Sequence, residues 1–435
     1  MRNDTEKILY VLNEWFEGKL PWFIERSFPY EWVDSNLILV LAGVRRSGKT
    51  YLLYQIVDRL RKDISPQNII YINLEDDRLY PITGNEIGDI LTVYRRNFSV
   101  SKSHRVYLFL DEVQNIPNWE RTLRRFYDRE KGLKLIITGS SAHLLSSEIA
   151  SSLRGRTLTY RVYPFSFREF LKTKGVSYGV ERLRFSRKKD EVLRLFKEYM
   201  EYGGFPQVVC EKTRTDLLKE YYRSIMYRDI IERYSIRNIP LFENFLKLTV
   251  QNMSSLFSFG KVANVLKSIG YRVSKSTLID YLRYIENAFL AFEVPVFSYS
   301  VKDHIQYPRK IYLIDTGLRN AVSFRFTEDR GRLAENIVFV ELLRRFGEGI
   351  YYWKDHYGHE VDFVIKKGFQ VDQIIQVCWS PDDEKTLKRE VAALLKAMEE
   401  FKLSYGVVLT EDMYEDREID NSRVEFRPLW LWLIS

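Results

Sequence analysis

Gly43-Val-Arg-Arg-Ser-Gly48-Lys49-Thr50 sets two glycines five positions apart and follows the second at once with a lysine and a threonine. Glycines at this spacing let the main chain turn successive N–H groups toward one point, a conformation that a Cβ would obstruct. Such a concavity takes anions. Lys49 would reach the β- and γ-phosphates of a polyphosphate, and Thr50 would offer its hydroxyl to Mg2+. A helix opening at Lys49 would add its positive dipole end beneath the same anion. Arg45, Arg46 and Ser47 inside the loop and Tyr51 just beyond it complete the expected nucleotide-binding set with Gly43 and Gly48. This is the Walker A pattern, fulfilled at every constrained position.

About sixty residues further on, Val106-Tyr-Leu-Phe-Leu110 delivers Asp111-Glu112. An apolar strand ending in two carboxylates divides naturally between two tasks. Asp111 would hold Mg2+ through water, and Glu112 would polarise the attacking water. Thr138-Gly-Ser140-Ser141 ends the next apolar run, where a hydroxyl either touches the γ-phosphate or caps a helix. Among the arginines, Arg156 in Ser152-Leu-Arg-Gly-Arg156 is favoured over Arg154, Arg45 and Arg46 as the group that neutralises transition-state charge. No Asn-Lys-x-Asp base-reading motif occurs, which points to ATP rather than GTP.

These side chains need a scaffold that brings several chain segments to one edge. Leu37–Val44, Ile69–Leu74, Val106–Leu110 and Leu133–Ile137 are short apolar runs, each ending in polar residues and separated by helical patterns. That alternation predicts a parallel α/β sheet, whose ligands bind at the carboxyl ends of the strands. Ahead of it, Ile8, Leu9, Leu12, Trp15 and Phe16 recur at helical spacing and predict a helix beside the nucleotide core. Residues 165 to 234 read as mainly helical, 241 to 290 as further helices and 294 to 318 as strands. The last hundred or so residues read as a helix over Gly331–Arg345, strands at Ile350–Trp353, Glu360–Ile365 and Gln373–Val377, a helix from about Lys385, and a strand at Tyr405–Leu409.

At 435 residues the chain exceeds one core, and two to four domains are expected. A 45% hydrophobic and 29% charged composition describes a globular protein, and the formal charge of +8 hints at an anionic partner. Two distant cysteines, Cys210 and Cys378, fit a reducing compartment and make no zinc site. No apolar run approaches the ~20 residues that span a bilayer. With no secretory signal in view, the expectation is a cytoplasmic protein without membrane contact. The richness in Tyr, Lys, Arg and Glu is compatible with a thermophilic source.

Taken together, the loop, Tyr71-Ile-Asn-Leu-Glu-Asp, Leu-Asp-Glu-Val-Gln114-Asn-Ile-Pro-Asn-Trp-Glu120, Ile-Thr-Gly-Ser-Ser and Leu-Arg-Gly-Arg resemble the AAA+-type, STAND-related ATPases of archaea and bacteria. The resemblance extends through Pro164-Phe-Ser-Phe-Arg-Glu-Phe170, Gly203-Gly-Phe-Pro206, Tyr227-Arg-Asp-Ile230, Ile311–Gly317 and Glu360-Val-Asp-Phe363. It implies an Mg2+-dependent ATPase with Lys49, Thr50, Asp111 and Glu112 in the roles above. Gln114 and Thr138 or Ser140 would sense the γ-phosphate. It also implies that Gly204-Phe205-Pro206 brings a helical lid to the nucleotide, with Pro206 in contact. The expected division is an ATPase core over 1–164, a helical lid over 165–235, a winged-helix segment over 236–330 and a small α/β restriction-endonuclease-like domain over 331–435.

Two downstream features bear on partners. Ser274-Lys-Ser-Thr-Leu278 opens a helix with Leu278, Leu282, Ile285 and Phe289 on one face, leaving Lys275, Thr277 and Arg283 for a DNA groove. The same surface carries Asp280 and Glu286, so DNA binding and a purely structural role stay open. In the last domain, Glu335, Asp362 and Gln376 match the metal-holding positions of a nuclease-like fold, yet the lysine position reads Cys378. Lys366 or Lys367 on the neighbouring strand are the remaining candidates, and a degenerate, inactive fold is preferred. The expected function is a DNA-associated ATPase acting as motor, remodeller or regulator. The alternatives are a nucleotide-operated switch that binds a protein, and an ATP-regulated nuclease. Self-association is compatible with each.

Overall fold

A computed structural model of the chain describes residues 2–80, 84–98, 105–141, 153, 155–177, 179, 183–323, 329–380 and 384–435. The chain divides into two compact units, Met1–Tyr163 with Asn287–Phe289, and Pro164–Glu286 with Leu290–Ser435.

In the first unit, β1 (Ile38–Ala42), β2 (Ile69–Asn73), β3 (Val106–Asp111), β4 (Leu133–Gly139) and β5 (Thr157–Arg161) form a parallel sheet in the order β2-β3-β4-β1-β5. β1 is fully buried along its length, which is why it reads as an unbroken apolar run rather than an alternating one. The helix Lys49–Leu60 buries Leu52, Leu53, Ile56 and Val57, spaced to form one stripe, against Leu39, Leu41, Phe109 and Ile136 of the sheet. Each such burial contributes roughly 1.5–3 kcal/mol relative to exposure. The amino-terminal helix Arg2–Glu17 buries Ile8 and Leu12, and Trp15 Nε1 donates to Ile69 O at 2.7 Å, fixing it beside β2. The expected α/β class with a parallel sheet is what the chain adopts.

In the second unit, the helices Phe167–Thr173, Lys188–Tyr202, Pro206–Cys210, Arg214–Ser224 and Ile225–Glu232 make the described residues between 165 and 234 mainly helical, as expected. β6 (Ser255–Phe257), β7 (Ala291–Val294) and β8 (Arg309–Leu313) make an antiparallel sheet in the order β6-β8-β7, with the helices Phe259–Ser268 and Lys275–Asn287 between β6 and β7. The stretch expected as strands from Val294 to Leu318 holds β8, but the helix Val301–Gln306 precedes it. A mixed sheet follows in the order β13-β14-β12-β11-β10-β9, built from β9 (Ile350–Lys354), β10 (Glu360–Lys367), β11 (Gln370–Val377), β12 (Tyr405–Thr410), β13 (Glu415–Ile419) and β14 (Ser422–Pro428). The helix Glu384–Phe401 lays Leu387, Val391, Leu394 and Met398 on Val361, Val364, Ile374 and Val408 of this sheet. The helix Arg330–Phe346 also packs on β9, β10 and β11 and carries Glu335.

Candidate functional site

The loop between β1 and the helix Lys49–Leu60 is shaped by backbone that few residues adopt. Arg46 has φ 70 and Gly48 has φ 95, so the chain turns left-handed twice within three residues. Main chain bent this way gathers N–H groups into an anion-binding nest. Gly43 is required for a different reason. A Cβ there would stand 2.1 Å from Val162 O, because the end of β5 presses on the loop.

Lys49 is buried and donates back to the loop, to Gly43 O at 3.2 Å and Val44 O at 3.3 Å, while pairing with Glu112 Oε1 at 3.3 Å. Thr50 Oγ1 donates to Asp111 Oδ2 at 2.7 Å, and Thr138 Oγ1 donates to Asp111 Oδ1. Thr138 also accepts from the Glu112 main-chain N at 2.9 Å. Gln114 Nε2 bridges Glu112 Oε2 and Ser140 Oγ, the latter at 3.2 Å. Arg45 leans away to Glu75 at 3.3 Å, and Arg46 and Tyr51 are exposed.

The two carboxylates are driven apart electrically. Burial pushes Asp111 above the usual carboxylate range, the Glu112 charge adds to this, and the Thr138, Thr50 and Tyr71 hydroxyls pull part of it back. Glu112 is buried too, but Lys49, Gln114 and Arg45 outweigh that burial and hold it below the ordinary value. A group kept ionised beside a cationic lysine suits polarisation of water, and the Asp111 carboxylate with the Thr50 hydroxyl 2.7 Å away is the hard-oxygen donor type that a divalent cation takes. The Ser47 hydroxyl in the loop is fully buried and, among the described residues, has no hydrogen-bond partner. These features fit a polyphosphate carrying a divalent ion, with Thr50 and Asp111 as the cation's side-chain partners.

Two contributors escaped the reading of the sequence. Tyr71 on β2 donates to Asp111 Oδ2 at 2.9 Å, its ring packed against Trp15 and Tyr54. The only local signal was a hydroxyl in an apolar strand, on the same face as Asn73, which pairs with Asp111. Arg26 reaches Ser47 O at 3.0 Å and Tyr163 O at 2.8 Å, tying the loop to the end of β5, and nothing in its neighbourhood of the chain marks it.

Arg156 requires a correction. Its main-chain O accepts from Ile38 N, so it lies at the amino end of β1, a strand length of about 16 Å from the loop. Its side chain pairs with Asp128 at 3.1 Å and lies over the Tyr127 ring. It therefore takes no part in its own chain's phosphate site. Arg154 lies outside the described residues. Pro206 belongs to the second unit, where it opens the helix Pro206–Cys210.

The nuclease-like positions also gather, around a lysine that the sequence did not offer. Lys310 Nζ, on β8, stands 2.7 Å from Asp362 Oδ1, 2.9 Å from Glu360 Oε1 and 3.1 Å from Glu335 Oε1. Tyr312 OH donates to the same Glu335 oxygen at 2.6 Å. Gln376 Oε1 accepts from Asp362 N at 3.0 Å, and Asp362 Oδ2 accepts from Val377 N at 2.9 Å. Lys366 and Lys367 instead lie at the hairpin end of β10. Cys378 is buried, its N–H given to Leu409 O.

Comparison with known proteins finds three matching regions along the chain. Residues 35–171 match the model of an AAA domain, and residues 193–329 and 330–431 match two domains of unknown function. The Uncharacterized protein MJ1544 of Methanocaldococcus jannaschii is 37% identical over 412 residues, 92% of this chain and 89% of that protein. An uncharacterized protein of Haemophilus influenzae is 31% identical over 405 residues, 92% of this chain and 95% of that one. Among solved structures, the Aeropyrum pernix ORC1 protein in complex with DNA covers 74% of this chain and 91% of its own, at 15% identity and a TM-score of 0.29, a likeness too slight to bear on function. Similarity at this level along almost the whole of both relatives means that the chain belongs to their family, one of AAA-domain proteins.

Proposed function

We propose that this protein is an Mg2+-dependent AAA+ ATPase of the STAND-related kind, associated with DNA and working as a motor, remodeller or regulator. The observation that carries the reading is the convergence of Lys49, Thr50, Asp111 and Glu112 on a left-handed loop at the carboxyl edge of a parallel sheet. The loop N–H groups and Lys49 would bind the phosphates. Mg2+, held by Thr50 and Asp111, would neutralise charge developing on the transferred phosphoryl group. Glu112 would orient and polarise water, with Gln114 fixing its carboxylate and, with Ser140, reporting the γ-phosphate. Lys49 now spends its charge on Glu112 and two loop carbonyls, contacts that a polyphosphate would take over.

The remaining roles are read from the second unit by itself. Residues 165–235 serve as the lid, the role that the family resemblance implies for Gly204-Phe205-Pro206. Residues 236–330 form a winged helix, a reading supported by two helices set between β6 and β7 and by a helix whose Leu278, Leu282 and Ile285 are buried while Lys275 and Arg283 are exposed. Residues 331–435 form a nuclease-like domain that cleaves nothing. Arg156, remote from its own loop, would serve only a neighbouring copy's phosphate site, which makes self-association part of the proposal.

ATP turnover measured with and without duplex, single-stranded and branched DNA tests this. The DNA reading expects stimulation, with binding that weakens steeply as salt rises. A rate indifferent to every nucleic acid would favour the protein-binding switch, for which the Arg283–Asp280 pair at 2.6 Å is the supporting feature, since it neutralises part of the face offered to phosphate.

A further inference from the structure

A nuclease-like fold implies a divalent ion between Asp362 and Gln376, and the side chains found there do not fit one. The Lys310 ammonium has three N–H donors, and three carboxylates receive them at 2.7, 2.9 and 3.1 Å. The oxygens a metal would need are engaged as well. Asp362 Oδ2 and Gln376 Oε1 each accept a main-chain N–H, Gln376 Nε2 is given to Glu390, and Glu360 Oε2 accepts from Lys354 at 3.1 Å. A second cation placed among these carboxylates would also face the ammonium at close range in a buried, low-dielectric setting, where like charges repel strongly.

We infer that Lys310 is the resident cation of this carboxylate cluster, taking the place of the metal, so that the domain binds no divalent ion there. The arrangement explains why a buried lysine is present at all. Three carboxylates from the helix Arg330–Phe346 and from β10 would repel one another if left alone, and one ammonium from β8 satisfies all three. It thereby fastens the three-stranded sheet to the mixed sheet and its helix. The price is chemical: with its lysine committed to neutralising carboxylates, the cluster cannot present a metal to a phosphodiester. A cavity of about 670 Å³ lined by Glu335, His359, Asp362, Gln376 and Arg389 lies over the cluster. A small cation therefore has access, and the cluster's own chemistry decides whether it binds.

Mn2+ binding to the full chain, followed by the loss of the free-ion paramagnetic resonance signal without nucleotide, tests the inference. The phosphate-loop carboxylates contribute equally to every protein compared, so differences report this cluster. Wild type, Asp362→Asn and Glu335→Gln should take up the same number of ions. Lys310→Met should take up one more per chain, and Lys310→Met with Asp362→Asn should lose it again. A wild-type site that Asp362→Asn removes would overturn the inference, as would a folded Lys310→Met that gains none. Should Lys310→Met fail to fold, the wild-type comparison with Asp362→Asn and Glu335→Gln decides alone. Failure here leaves the ATPase reading untouched, because none of these residues belongs to the phosphate site.

Discussion

Thr50 Oγ1 and Asp111 Oδ2 are 2.7 Å apart, so the first turn of the phosphate-loop helix is hydrogen-bonded directly to the end of β3. Sixty-one positions of chain separate them, and only the parallel pairing of β1, β4 and β3 brings them together. Thr50→Val keeps the shape of the side chain and removes the hydroxyl. ATP hydrolysis is expected to fall by roughly 100-fold or more, with a higher Mg2+ concentration needed for half-maximal rate. Steady-state rates across an Mg2+ titration check this, and an unchanged Mg2+ dependence would count against Thr50 as a metal partner.

Glu112 is held ionised by Lys49 despite its burial. Glu112→Gln preserves the volume and removes the ability to polarise water, so turnover should fall by about 100-fold or more while ATP affinity changes little. Equilibrium binding of a fluorescent ATP analogue beside the hydrolysis rate separates the two. Binding and hydrolysis falling together would place Glu112 in the nucleotide pocket rather than in the chemistry.

Gly43 has no room for a side chain, with Val162 O 2.1 Å from where a Cβ would sit. Gly43→Ala should destabilise the first unit by about 1–3 kcal/mol, the usual range for overpacking. Urea unfolding with and without Mg2+-ATP measures it. A stability equal to wild type would mean that β5 yields more easily than its contact with the loop implies.

How much of this was written in the sequence depends on whether a feature is local. The phosphate loop, β1 to β4 and the carboxylate pair follow from glycine spacing and buried apolar runs, so they read directly. β5 did not, because Thr157-Leu-Thr-Tyr-Arg161 is a half-buried edge strand without a strong apolar signature. β13 and β14 are rich in charge and are held by cross-strand pairs such as Arg427–Asp416 and Arg423–Asp416, which mimic a solvated loop in sequence. Tyr71, Arg26 and Lys310 act on partners 40, 21 and 52 positions away. Only tertiary pairing reveals them. For Arg156 the motif was visible, but its position at the amino end of the strands was not.

Asp315 supplies a pH test of the second unit. Its carboxylate accepts Gly204 N at 2.7 Å and Gly317 N at 2.8 Å, anchoring the turn at Gly203, whose φ is 72. Burial pushes it up to about 7, against the pull of the Gly204, Gly317 and Leu318 N–H groups. The folded chain thus keeps a proton that the unfolded chain releases near pH 4. Stability from this group is present in full below that unfolded value and is lost as pH rises through about 7. The urea midpoint should fall as pH rises from about 4 to about 7 and level off above that, and Asp315→Asn should flatten the slope. Glu335, also pushed up to about 7 by burial, gives a residual slope of the same sign.

The central claim is that the Lys49 ammonium, seated in a nest of main-chain amides, holds the phosphates that Asp111 and Glu112 act upon. The most direct measurement is ATP binding and turnover by the purified full chain with Mg2+, set beside Lys49→Ala. The account predicts that wild type retains and hydrolyses ATP and that Lys49→Ala loses both while remaining folded. Equal turnover by the two proteins, or a wild type that retains no ATP, would contradict it.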